Sequence, residues 1–245
     1  AVAALSAGST GAAAARFIFG TQAAHVELER EIARFKGADA ALLFASGYAA
    51  NVGAIQALVG RRDVIYADQL NHASLIDGAR LSRAEVRVFP HMDVEALRAM
   101  LEVDAGKFRR RLIVVDGVFS MDGDIFPLAE LVTIARDFDA WTYVDDAHAT
   151  GVLGANGRGS AEHCGVEGEI DVVMGTLGKA IGTIGAFVCG SGVLIEYLMN
   201  RARAFVFTTA APPALAAATL EALRIVSAEP ERRETLTRNA RYLRA

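Results

Sequence analysis

The stretch Trp141–His148, "WTYVDDAH", runs four residues suited to a buried strand straight into two acids and an imidazole. A second apolar run, Asp171 to Met174, leads into Gly175–Lys179, "GTLGK". Continuous apolar runs of this length read as strands covered on both faces, and in open parallel α/β sheets the ligand crevice lies outside the carboxyl ends of the strands. The acid, the imidazole and the amine are therefore expected to face one crevice.

Strand-like runs recur outward from this pair at Ala40 to Phe44, Val64 to Tyr66, Val86 to Phe89, Leu112 to Val115 and Ile184 to Cys189. Helical patterns separate most of them. Leu28, Ile32 and Phe35 recur at helical spacing between Glu27 and Lys36, Tyr48 to Leu58 reads as a second helix, and Pro127 opens a third, where its missing amide hydrogen matters little. The alternation predicts the α/β class: a mostly parallel sheet with helices on both faces. No repeat or linker interrupts 1–245, which reads as a single large domain, with 214–245 a helical connection.

Composition narrows the function classes. With 53% hydrophobic residues the chain can bury a large core, and 25 basic against 29 acidic residues give a net charge of −4, which argues against nucleic acid as a partner. No apolar run approaches membrane-spanning length, and the alanine-rich start lacks the basic end of a leader, so no membrane partner and a cytoplasmic location are expected. Cys164 and Cys189 have neither disulfide-framework nor zinc-ligand spacing; no metal is expected. A P-loop would need glycine where Val173 stands, and Gly157-Arg158-Gly159 continues with Ser160, Ala161 and Glu162 rather than a dinucleotide fingerprint.

The remaining chemistry suits a pyridine aldehyde. The amine of Lys179 can condense with an aldehyde, and partial burial makes such an amine nucleophilic. An aspartate against a ring nitrogen keeps it protonated, so the ring can accept a carbanion's electrons, a charge-assisted contact of roughly 1.5 to 3 kcal/mol. Because side chains alternate across a strand, Asp145 and Asp146 point to opposite sides, and Asp145 is the better placed. His148 then falls within reach of a ring hydroxyl. Taken alone, Asp145 and His148 also suit a structural pair at a strand end, and Lys179 a surface lysine; the combination points to function. His25, His91 and His163 lack supporting context and read as structural or exposed.

Six segments in order resemble the α-oxoamine synthase family, which has the type I fold of the pyridoxal phosphate transferases: "SGYAAN" from Ser46, "NHASLIDGARL" from Asn71, "GVFSMDGD" from Gly117, "VDDAHATGVLGANGRGS" from Val144, "GTLGKAIG" from Gly175 and "FTTAAPP" from Phe207. The resemblance implies pyridoxal 5'-phosphate carried on Lys179, Asp145 at its ring nitrogen, His148 and Ser120 near its phenolic oxygen, and His72 stacked on its face. It also implies phosphate contacts from Gly47, Tyr48 and Thr176, and from Thr208 and Thr209 of the other subunit of a homodimer with shared active sites. Backbone amides at a helix start suit phosphate on physical grounds alone.

The activity implied is a decarboxylating condensation of an amino acid, alanine or glycine, with an acyl-CoA or acyl-carrier thioester. "RARAFVFTTAAPPALAAA" and "DDAHATG" resemble members using L-alanine and a pimeloyl thioester, whereas "RFIFGTQ" also resembles those using glycine and acetyl-CoA. The family pattern carries an arm before Ala1 and a small domain after Ala245; both are expected to be absent, leaving a dimeric cofactor-binding core of little activity as a third reading. Ala12 to Ala15 is poorer in glycine and serine than the family pattern, so no substrate role is carried onto that loop.

Overall fold

The computed structural model describes Val2 and residues 10–244, so most of the alanine-rich start lies outside the described residues. Seven strands form one sheet: β1 (Ala40–Phe44), β2 (Val64–Asp68), β3 (Glu85–Phe89), β4 (Arg111–Asp116), β5 (Trp141–Asp145), β6 (Val172–Thr176) and β7 (Ala186–Gly190), in the order β1-β7-β6-β5-β4-β2-β3. From β6 across to β3 the pairings are parallel, whereas β7 is antiparallel to both neighbours. The mostly parallel expectation holds, with β7 as its one reversed strand. The run expected from Ile184 begins as a strand only at Ala186, because Gly185 at φ 101° ends the turn that precedes it.

Two layers of helices cover the sheet. On one face α2 (Gly47–Leu58) and α3 (Ala73–Ser82) pack with α7 (Gly192–Arg201) and α8 (Arg203–Val206), burying Ala50, Ile55, Leu75, Leu198 and Phe205 against Leu42, Leu112 and Met174. On the other lie α1 (Ala23–Lys36), α4 (Val94–Val103), α5 (Leu128–Asp137) and α9 (Pro213–Ala228), burying Leu97, Leu131 and Ile134 against Tyr66 and Ile113, and Ile32 and Leu220 against Phe187. The short α6 (Ser160–His163) follows β5, and α10 (Glu231–Arg244) ends the described chain without a buried residue. Among the described residues no helix is long and apolar enough to cross a membrane.

Local chemistry sets the helix starts. α1 begins four residues earlier than the apolar spacing indicates, because Gln22 caps it and His25 returns the bond: the Gln22 amide donates to Nδ1 of His25 at 3.1 Å. His25 is thus structural, its Nε2 lying 2.7 Å from the Ala211 carbonyl. Ser46 caps α2 by accepting from the Ala49 amide, and His72 caps α3 with its ring. Gly175 on β6 is required by close packing: a Cβ there would lie 2.3 Å from Cζ of Phe187 on β7.

Candidate active site

Three strands end on aspartate at the same edge of the sheet: Asp68 closes β2, Asp116 closes β4 and Asp145 closes β5, with Asp116 and Asp145 in register on neighbouring strands. All three are buried. The sequence expectation that Asp145 and Asp146 diverge is met. Asp145 turns toward α2, accepting from Asn51 Nδ2 at 2.7 Å and from the Ala147 amide at 3.0 Å. Asp146 turns to the opposite face, where Lys36 Nζ lies 2.7 Å away and the Ser160 amide and hydroxyl both donate to it.

Past β6 the chain forms a tight hairpin, 177–185, before returning as β7. The Leu177 amide donates to Gly185, the Thr183 amide to Leu177, and the Gly182 amide to the Lys179 carbonyl. Lys179 rides on this turn, and its Nζ lies 2.7 Å from Nε2 of His148. Partial burial lowers the Lys179 pKa, although the Asp145 and Asp116 charges oppose the shift. His148 is also pushed down, by burial first and then by the Lys179 and His72 charges. A neutral His148 accepting from the Lys179 amine fits both directions.

The two neighbouring carboxyls share an electrostatic constraint. Burial, and then the charge of Asp145, raises Asp116 to about 8. Burial also raises Asp145, but the Asn51 and Ala147 donors and the His72 and Lys179 charges oppose it. Asp116 receives one donor at its carboxylate, the His72 amide at 2.7 Å. We therefore assign the charge to Asp145 and the proton to Asp116 near neutrality.

His72, Asp145, His148 and Lys179 are thus within electrostatic reach of one another. Thr176 ends β6 beside them, its hydroxyl donating to Gly185 and accepting from the Gly178 amide. Gly47 and Tyr48 open α2, with the Tyr48 hydroxyl bonded to Asp77 at 2.7 Å. Ser120 occupies the exposed tip of a turn closed by the Val118–Ile125 bridge. Thr208 and Thr209 lie elsewhere in the chain, lining a small hollow with Arg16, His25 and Phe44, with Thr209 bridged to Ala15.

Other sequence readings resolve simply. His163 is exposed, whereas His91 is partly buried, its Nδ1 3.0 Å from Asp68 and its ring edge-on to Phe119. Burial pushes the Cys189 thiol up to about 12, which suits a core residue and not a nucleophile. Residues that sequence reasoning passed over are Asn51, Asn71, Ser74 and Asp116. The signal for Asp116 was available: "RLIVVD" ends an apolar run on aspartate just as "WTYVD" does.

The donor set fits a pyridine aldehyde phosphate. A buried carboxylate with an opposing cation to gain, an amine of lowered pKa on the next strand end and a helix start facing the same edge match its ring nitrogen, aldehyde and phosphate respectively. Among the described residues no cluster of His, Cys, Asp and Glu is arranged to hold a metal ion.

Comparison with known proteins agrees with this geometry. A family model described as aminotransferase class I and II matches residues 1–245. An 8-amino-7-oxononanoate synthase of Methylococcus capsulatus is 55% identical over 236 residues, 96% of this chain and 60% of that protein. One from Thermoanaerobacter pseudethanolicus is 52% identical over 96% of this chain and 59% of its own length. Among solved structures, a serine palmitoyltransferase from S. paucimobilis with a bound PLP–myriocin aldimine superposes with a TM-score of 0.94 at 38% identity, covering 98% of this chain and 60% of that one. An 8-amino-7-oxononanoate synthase from Francisella tularensis gives 0.80 at 34% identity, covering 89% of this chain and 63% of that one. The chain thus spans about three fifths of the relatives it matches.

Proposed function

The chain belongs to the class I and II aminotransferase family, and we propose that its activity is that of an 8-amino-7-oxononanoate synthase. The reaction joins the α-carbon of L-alanine to the acyl carbon of a pimeloyl thioester, releasing the thiol and carbon dioxide, in biotin synthesis. The observation that carries the chemistry is the Lys179–His148 contact of 2.7 Å beside buried Asp145, on adjacent strand ends. The choice of substrates is supported by relatives of that name at 55% and 52% identity.

Pyridoxal 5'-phosphate supplies, when bound, an aldehyde for an amine and a protonated ring that takes up the electron pair released at the α-carbon. Lys179 would hold that aldehyde, and its amine is the group placed to take the α-proton; burial lowers its pKa and so favours the neutral, basic form. Asp145, charged and fixed by two N–H donors, holds the ring-nitrogen proton in place. His148 accepts from the lysine and orients the phenolic oxygen together with Ser120. His72, exposed at the start of α3, covers the ring face. Gly47, Tyr48 and Thr176 receive the phosphate. Thr208 and Thr209 reach the phosphate of a second copy in a homodimer with shared active sites. The protein works in the cytoplasm.

The test is the absorption spectrum of the protein with pyridoxal phosphate before and after borohydride, followed by peptide mapping and a thiol-release assay with alanine or glycine. A visible band fixed onto Lys179, with thiol released from pimeloyl-CoA by alanine and abolished in Lys179→Ala, is expected. A label elsewhere, or turnover with glycine and acetyl-CoA alone, would sink the reading.

A further inference from the structure

Beneath the site lies a buried polar network whose proton order can be deduced. Asn51, Ser74, Tyr143 and Asp145 are all buried. The Tyr143 hydroxyl donates to Asn51 Oδ1 at 2.8 Å, and Asn51 Nδ2 donates both to Asp145 Oδ2 at 2.7 Å and to Ser74 Oγ at 2.8 Å. Rotating the amide by half a turn would set its oxygen against the Asp145 carboxylate, two acceptors face to face in a buried site, so this orientation is forced. Burial and the Asp145 charge raise the Tyr143 pKa, so its hydroxyl keeps the proton it donates.

The order continues to the surface. Ser74 Oγ accepts from Asn51, which leaves its own hydrogen for His72 Nδ1 at 2.7 Å. The Ser74 backbone amide also points at that nitrogen, at 3.2 Å. A backbone N–H can only donate, so Nδ1 is an acceptor and a neutral His72 carries its proton on Nε2. One carboxamide therefore orders both the lone pairs of Asp145 and the Ser74 hydroxyl, which joins the Ser74 amide in donating to His72 Nδ1.

We propose that Asn51 is a positioning residue that fixes the Asp145 carboxylate and, through Ser74, locks His72 in the Nε2–H form, presenting a donor at the exposed end of its ring. The recognised groups are then a protonated pyridine nitrogen at Asp145 and a hydrogen-bond acceptor, such as an acyl or carboxylate oxygen, at His72 Nε2. The assignment of those ligands rests on the function proposed above; the proton order itself does not.

The experiment is long-range proton–nitrogen correlation of the histidine rings in the full chain before pyridoxal phosphate is added, with His72 assigned by its loss in His72→Asn. A single form protonated at Nε2 is expected, its share falling in Ser74→Ala, where only the longer backbone contact of 3.2 Å still donates to Nδ1, and recovering in Ser74→Thr. Asn51→Ala should weaken pyridoxal phosphate binding about tenfold, as expected for loss of one hydrogen bond to a charged group, while borohydride still labels Lys179. A wild-type His72 protonated at Nδ1, or one whose nitrogen shifts ignore Ser74→Ala, would overturn the proposal; Ser74→Ala removes only a hydroxyl and serves even where Asn51→Ala fails to fold. The expected His72 pattern without Lys179 labelling would instead uphold the relay and refute the cofactor reading, so the two failures are distinguishable.

Discussion

Replacing Lys36 by Met should destabilise the fold by about 4 kcal/mol, and the reasoning is local. The Lys36 side chain is 4% exposed and its Asp146 partner 1%. The ammonium donates to Asp146 at 2.7 Å, to Thr150 at 3.3 Å and to the Arg158 carbonyl. Breaking a buried pair from one side costs 3–5 kcal/mol because the surviving charge is stranded. Asp146 keeps the Ser160 amide and hydroxyl as donors, which places this contribution at about 3 kcal/mol. The orphaned Arg158 carbonyl adds about 1 kcal/mol. Urea unfolding followed both by fluorescence of Trp141, the chain's one tryptophan, and by far-ultraviolet circular dichroism would check the value, coincident curves establishing a single transition. Adding Asp146→Asn should cost less than the two single losses summed, since no charge is then stranded. A Lys36→Met loss under about 1 kcal/mol at unchanged slope would refute the claim that this pair anchors the turn after β5.

Asp116 gives a pH dependence whose sign is fixed. Its folded pKa, raised to about 8, exceeds the unfolded value, so the folded state holds the proton more tightly; the contribution is full below about pH 4 and lost as pH rises toward 8. Unfolding measured across that window should show the decline in the wild type and a flatter profile in Asp116→Asn; identical slopes would remove the assignment of the proton to Asp116. Gly175→Ala forces a methyl against the Phe187 ring, buried on the neighbouring strand, and should cost about 1–3 kcal/mol by overpacking, seen as a lowered melting temperature. Thr208 and Thr209 supply the test of the dimer: their joint replacement by alanine should release pyridoxal phosphate from a protein that sedimentation still shows as dimeric, and full retention would place the phosphate elsewhere.

Much of the fold was legible because buried strands write themselves as continuous apolar runs, and β2, β4, β5 and β6 are covered on both faces. Direction is not written in such runs, which is why β7 reads no differently from the parallel strands of the sheet. The spacing did carry the answer: segment 177–185 is shorter than the roughly dozen residues a parallel crossover needs, so only a hairpin could follow β6. The early start of α1 was hidden because histidine at position 25 fills the place usually taken by Glu or Gln in a capping box. At the site, the acid, imidazole and lysine could be placed from strand ends alone. The supporting layer could not, since Asn51 and Ser74 gain their meaning from Asp145 and His72 across long sequence separations.

The reversal of β7 has a mechanical consequence. A lysine on an ordinary strand-to-helix loop is tethered to the sheet at one end only. Lys179 is suspended between two rails, β6 and β7, which are themselves paired from Val172 with Gly190 to Thr176 with Ala186. Such a turn is anchored to both strands at once, so the backbone that carries Lys179 is held from both sides. The same bracing makes 177–185 a poor place for insertions, because any added length must either bulge the turn or slip the register that seats Gly175 against Phe187.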